Sequence, residues 1–272
     1  MELSFENNNI HGKNHVDYFV RYYLMMKLKK PITDKRVYDD FRMVSDNFEN
    51  ATFCIKELNE FSKYYLNLFG NLNKCIEFKK EFKDLYVLKM RVFAPFLMKL
   101  LQQYKQGKLT TKECSNIFNL CIGYYLRKSL CGWTGNSAKD LSLKLLKVIE
   151  KGGNYSDILE FMVNLKSNDR MVSDSMLKEF FINDFKVYSK NHFVFSNLIN
   201  FHKTANIDTS DLKVVCLFDE VDVEHSNQIG NLTLEGIELC MDIEAGSNEE
   251  FIEKRTEKLI DMILKVWEYP TL

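Results

Sequence analysis

Val16-Asp-Tyr-Phe-Val-Arg-Tyr-Tyr-Leu-Met-Met-Lys-Leu-Lys-Lys30 sets Val16, Phe19, Val20, Tyr23 and Leu24 on one helical face, and Pro31 follows. Proline has no N–H to donate and its ring crowds the preceding turn. The stretch therefore predicts an amphipathic helix that stops near Lys30. Thr33 or Asp34 can cap the next helix, which should carry Val37, Tyr38 and Phe41 inward. The same periodicity recurs around Phe53–Phe69, around Leu85–Gln103, and at Ile117, Leu120, Cys121 and Tyr124. Gly107 to Thr111 reads as a loop ending in a helix cap, with Glu113 in the first turn that follows. Beyond the break at Gly132, Gly135 and Asn136, helices are predicted near Ser137–Glu150, Ser156–Leu165, Ser173–Asn183 and Asn191–Phe201.

Composition agrees with a helical array. Of 272 residues, 46% are hydrophobic and 13% aromatic, enough for a real core, while only 3 Pro and 11 Gly interrupt the chain. The first residues lack a basic segment followed by an apolar one, and no apolar run of membrane-spanning length occurs. A soluble, cytoplasmic protein with no membrane partner is expected. The 7 Cys (54, 75, 114, 121, 131, 216 and 240) are odd in number and contain no C-x-x-C pair, which points to reduced thiols rather than disulfides or zinc. Cys114 and Cys121 can share one helical face as core residues. Tyr22-Tyr23, Tyr64-Tyr65, Tyr124-Tyr125 and Trp133 read as core or interface packing before base-stacking platforms. His11, His15, His192 and His202 show no metal-ligand spacing.

The pattern changes after a linker at Asn206–Asp211. Val214-Val-Cys-Leu-Phe218 is β-prone, Val221 and Val223 alternate with acids, and Ile229-Gly-Asn-Leu-Thr-Leu234 is a second candidate strand. Helical spacing returns from Glu249 to Trp267 through Leu259, Ile260, Ile263 and Leu264, with Glu250/Lys254 and Asp261/Lys265 one turn apart. The expected fold is mainly α: a multi-helix array over residues 1–205, then a small module of two strands and a helix over 206–272. Charge divides in the same place. From residue 206 onward there are 5 Lys/Arg against 16 Asp/Glu, so any surface that faces phosphate should lie on the earlier part.

Four stretches in order resemble the region that follows the N-terminal ParB-like domain in GmrSD-type modification-dependent (type IV) restriction endonucleases. Tyr18-Phe-Val-Arg-Tyr-Tyr-Leu-Met-Met-Lys27 with Val37-Tyr-Asp-Asp-Phe-Arg42 resembles the first helical hairpin after that domain. Tyr124-Tyr-Leu-Arg-Lys-Ser-Leu-Cys-Gly132 with Gly135-Asn136 is similar to a family helix that ends in an Arg, a Cys-Gly break and an Asn. Ser173-Asp174, Phe180 and Tyr188 match the helices that follow. Glu224-His225, Ile229-Gly-Asn-Leu-Thr-Leu234, Ile252-Glu-Lys-Arg-Thr256 and Val266-Trp267 resemble the His-Asn-His module and its closing helix. The ParB-like, nucleotide-dependent domain has no counterpart in these residues. That domain was lost, lies on a separate ParB-like, NTP-using subunit, or falls outside this sequence, and all three alternatives stay open; such a subunit and DNA are the candidate partners.

The resemblance implies a shortened ββα module. His225 would be the general base and Asn231 the residue that braces the loop, while Glu224 and His225 would lie at a divalent metal, Mg²⁺ or Mn²⁺, if the module is active. Family members place a loop of some two dozen residues between the His and the Gly-Asn-Leu-Thr-Leu strand. Here only Ser226, Asn227 and Gln228 precede Ile229, which leaves little room for a metal and a phosphate. His225 equally reads as a hairpin-end histidine, Glu224 as a solvated acid and Asn231 as a turn residue. Lys27, Lys29, Lys30, Arg127 and Lys128, with Lys35 and Arg36, supply positive charge for a DNA-backbone surface or simply form solvated helix faces. Three functions stay open: a degenerate or partial phage-defence protein acting as a DNA-binding or subunit-interaction component, an active metal-dependent endonuclease for modified DNA, and a helical protein-interaction scaffold.

Overall fold

The computed structural model describes residues 15–70, 77–132, 137–183, 191–202, 208–219, 221–222, 225, 228–237, 239 and 241–270. They are mainly helical: eleven α-helices and one two-stranded antiparallel sheet are present among them. The helices are α1 (His15–Leu28), α2 (Val37–Ser45), α3 (Ala51–Phe69), α4 (Lys79–Val87), α5 (Ala94–Lys105), α6 (Thr111–Leu130), α7 (Ser137–Glu150), α8 (Tyr155–Val163), α9 (Asp174–Asn183), α10 (Asn191–His202) and α11 (Asn248–Val266). The strands are β1 (Val214–Cys216) and β2 (Leu232–Leu234). No helix among the described residues is long and apolar enough to cross a membrane.

Contacts divide the chain into two units, and the division follows neither the linker nor residue 205. One unit holds residues 1–122 and 134–170; the other holds 123–133 and 171–271. In the first, α5 is the central helix, with Ala94, Pro95, Phe96, Leu97, Met98, Leu100, Leu101 and Gln103 all buried. These buried positions cover most of its circumference, and α1, α3 and α7 pack on it. α1 contributes Tyr23, Leu24 and Met25, each without exposure; the first two lie on the face its spacing predicts, whereas Met25 does not, and Val16 and Val20 are half-buried. Local chemistry fixes the ends. Asn50 Oδ1 accepts from the Phe53 N–H at 3.1 Å to cap α3, and Asn154 and Asp157 form a reciprocal capping box on α8. Glu113 accepts from the Thr110 N–H at 2.9 Å, in keeping with the cap read after Gly107.

Two expectations are corrected here. The periodic run Leu85–Gln103 is two helices, because Lys89 takes a left-handed φ of 55° and the Met90 N–H reaches back to the Leu85 carbonyl at 3.0 Å, ending α4. A 3-10 turn at Arg91–Phe93 and Pro95 in the first turn then start α5. The second correction concerns α2, where Tyr38 is 76% exposed and the buried residues are Asp40 and Val44. Stepping i, i+3, i+4, i+7 from Val37 gives Asp40, Phe41 and Val44, which leaves Tyr38 on the outer face. Asp40 tolerates burial because Lys30 Nζ lies 3.0 Å and Arg36 Nη2 3.8 Å from its Oδ1.

In the second unit α11 is the organising element. Its Ile252, Arg255, Thr256, Leu259, Ile260 and Ile263 are buried, and α9, α10 and a 3-10 turn at Ile229–Asn231 pack on it. The predicted strand over 229–234 is thus half turn and half strand. The first strand ends at Cys216 rather than Phe218.

Candidate functional site

β1 and β2 pair with Val214 opposite Leu234, Val215 opposite Thr233 and Cys216 opposite Leu232. Regular pairing ends there, and Asn231 prolongs it. The Leu217 N–H donates to the Asn231 carbonyl at 2.8 Å; the Asn231 side-chain Nδ2 donates to the Phe218 carbonyl at 3.1 Å, and its Oδ1 accepts from the Phe218 N–H at 3.0 Å. A primary amide has the donor and acceptor that a peptide group has, so the fully buried Asn231 takes the place of one more strand residue. It braces the segment that leads from β1 towards His225.

Gly230 brings this turn onto α11. A Cβ there would meet the Ile252 carbonyl oxygen at 2.1 Å and Thr256 Oγ1 at 2.4 Å, so only glycine permits the approach. The Gly230 N–H donates to Thr256 Oγ1 at 3.1 Å, and Arg255 Nη1 donates to the carbonyls of Gly230 at 2.6 Å and Leu232 at 2.7 Å. Arg255 is 1% exposed. Arg255 and Thr256 fall within the 252–256 stretch that resembles the closing helix, but neither is named there as a site residue. Their signal is position, since 255, 256 and 259 follow Ile252 on the apolar face of α11.

His225 lies between two carboxylates. Its Nδ1 is 2.8 Å from Asp222 Oδ1, which also accepts from the His225 backbone N–H at 2.8 Å, and its Nε2 is 3.2 Å from Glu253 Oε1 on α11. Ionised carboxylates only accept, so this arrangement favours an imidazolium that donates from both ring nitrogens. The hydrogen bonds to Asp222 and then Glu253 raise its pKa above the ordinary histidine value. An imidazolium so engaged has no lone pair for a water proton or a metal. His225 as arranged does not fit a divalent cation, and Glu224 lies outside the described residues. Among the described residues no group of three or more His, Cys, Asp or Glu side chains could hold a metal ion.

The expected DNA-facing cations are placed differently from one another. Arg127 and Lys128 are 1% and 4% exposed, which corrects their reading as a phosphate surface. Arg127 donates through Nε to the Trp267 carbonyl and through Nη1 to that of Val172, both at 3.1 Å, and pairs with Asp174 at 2.7 Å. It fastens the end of α11 and the start of α9 to α6. The Lys128 ammonium lies 5.2 Å from the Tyr124 ring centroid. Lys27, Lys29 and Lys30 remain accessible, but each carries an acid: Glu57 at 2.9 Å, Glu150 at 2.7 Å and Asp40 at 3.0 Å. No protein-family model, curated protein or solved structure matches the chain.

Proposed function

We propose that this chain is a non-catalytic relative of the C-terminal region of GmrSD-type endonucleases, working in restriction or phage defence as a component that engages another subunit. The observation that carries the reading is His225, whose two ring nitrogens are both spent on carboxylates. The succession of β1, β2 and α11 supports descent from a ββα module, as does the use of Asn231 to brace the segment after β1. In this reading His225 has been turned from a base into a tie between the Asp222 segment and α11. The partner is a ParB-like, NTP-using subunit. Subunit contact is favoured over DNA contact because Lys27, Lys29 and Lys30 are already ion-paired and Arg127 and Lys128 are buried.

The test is plasmid DNA carrying modified cytosines, incubated with the protein and Mg²⁺ or Mn²⁺, with His225→Ala alongside. No nicking by either protein is expected. Nicking that disappears in His225→Ala would establish the second reading, an active metal-dependent endonuclease, for which the Asn231 brace is the favouring observation. DNA affinity separates the remaining roles. Affinity that falls steeply with salt and is lost on neutralising Lys27, Lys29 and Lys30 would replace subunit contact with DNA binding.

A further inference from the structure

Between α7, α8 and a 3-10 turn at Ser167–Asp169, the first unit carries a cleft of about 670 Å³, a volume in the range of ligand sites. α7 packs on both α8 and the turn, so regular structure sets the walls. Val148 of α7, Phe161 of α8 and Leu165 just beyond it are half-buried and supply an apolar floor. Ser167 takes a left-handed φ of 53°, and two residues on, Asp169 reaches α7, where its Oδ2 accepts from Lys144 Nζ at 2.5 Å. That ion pair forms one wall, and its two charges cancel.

Two charges in the lining are left over. The Glu160 carboxylate and the Lys166 ammonium are exposed, opposite in sign and on the same cleft, yet neither has a hydrogen-bond or ion-pair partner among the described residues. Asp157, also in the lining, is already engaged: its Oδ2 accepts from the Asn154 N–H at 2.8 Å in the capping box of α8. Glu160 stands within α8 and Lys166 past its end, so their backbones are separated by roughly 10 Å at the rise of helical and extended chain. The cleft is therefore dipolar, with an acid towards one end, a base towards the other and apolar side chains between.

We propose that this cleft binds an extended peptide segment of a partner protein, one that carries an Arg or Lys, a large apolar side chain and an Asp or Glu within about four residues. The basic side chain meets Glu160, the apolar one lies on Phe161 and Leu165, and the acidic one meets Lys166. An extended chain covers roughly 10 Å in three or four residues, which matches the spacing of the two charges. A peptide is favoured over a small molecule because Lys144, Asp157, Glu160 and Lys166 are all exposed, leaving the cleft open, whereas small-molecule sites enclose most of their ligand. The floor supplies apolar burial, and the order of charges sets the direction of the peptide. The cleft shares no residue with the His225 region and stands or falls separately from the nuclease-derived reading.

Randomised heptapeptides displayed on phage and selected against the full chain test this, with the enriched sequences then measured as fluorescein-labelled peptides by anisotropy. Enrichment of the basic, apolar and acidic combination is expected, with saturable binding in the millimolar range or tighter. Glu160→Lys should weaken binding about fivefold or more, and changing the basic residue of the peptide to Glu should restore it. Lys166→Glu should respond in the same way to a peptide whose acid is changed to Lys. Both positions are exposed, so the circular dichroism spectrum and Tm of each variant should match the parent. No enrichment, enriched peptides that lack this charge order, or peptides that bind both variants as tightly as the parent would overturn the proposal.

Discussion

Arg255 Nη1 donates to the Gly230 carbonyl oxygen at 2.6 Å across a contact so close that no side chain fits on Gly230. The two residues need one another. The missing Cβ lets the turn reach the helix, and the guanidinium pairs a carbonyl that this approach takes out of water. The same Nη1 also holds Leu232, so one buried arginine joins the 3-10 turn, β2 and α11.

Replacing Arg255 with Met keeps much of the volume but leaves the carbonyls of Gly230 and Leu232 without that donor. Loss of about 3 kcal/mol of unfolding free energy is expected, from two buried acceptors left unpaired. Arg255→Lys should recover only part, because an ammonium lacks the planar fork. Urea unfolding of the three proteins checks this, and an Arg255→Met protein as stable as the parent would contradict the role given to the guanidinium.

Gly230→Ala should cost about 2–4 kcal/mol through overpacking against α11. Removing the Thr256 hydroxyl in the same protein should not restore stability, since the Ile252 carbonyl is backbone and cannot swing aside. Thermal melts of the single and double variants distinguish this from a clash with the Thr256 side chain alone.

The tie at His225 sets a pH dependence of defined sign. Its folded pKa is raised by the bonds to Asp222 and Glu253, so its contribution is fully present below the unfolded histidine value near 6.5 and is lost as pH rises through the higher folded value. A histidine proton resonance assigned to His225 should titrate above 6.5 in the parent and move down in Glu253→Gln. A midpoint at or below 6.5 would remove the argument for an imidazolium.

The buried thiols should resist reagents. Burial pushes the Cys114 thiol up to about 12 and that of Cys131 up to about 11, and burial also raises Cys121, which is enclosed in α6. Thiolate is the reactive species, so a disulfide reagent at neutral pH should label the exposed Cys216 quickly and these three only after denaturation. Mass spectrometry of digested, pulse-labelled protein reads this directly, and fast labelling of Cys121 would mean that α6 opens in the native state.

Much of the architecture follows from local pattern. The face of α1, the cap at Thr110, the end of α6 at Leu130 and the buried stripe of α11 are all legible from local pattern, because helix formation depends on neighbours within one or two turns. The β-prone runs around 214 and 232 were also legible as strands. Less legible was the Leu85–Gln103 run, where the apolar positions stay in phase while Lys89 breaks the backbone. Lysine carries no signal for a left-handed residue. Tyr38 was misplaced because a tyrosine in an apolar-looking run outranks an aspartate by hydropathy, whereas Lys30 and Arg36 make Asp40 the residue that can be buried.

At the site, sequence alone determined which polar residues merited attention: a histidine and an asparagine flanking a short Ser-Asn-Gln link, and several cations on the helices. Only tertiary structure decided their employment. Arg127 reads as a surface charge until carbonyls of Val172 and Trp267, far along the chain, are brought to it, and His225 reads as a free base until Glu253 of α11 closes on its second nitrogen. The physical reason is that a side chain's charge state and accessibility are set by the atoms around it in space. Helical periodicity records only the neighbours along the chain.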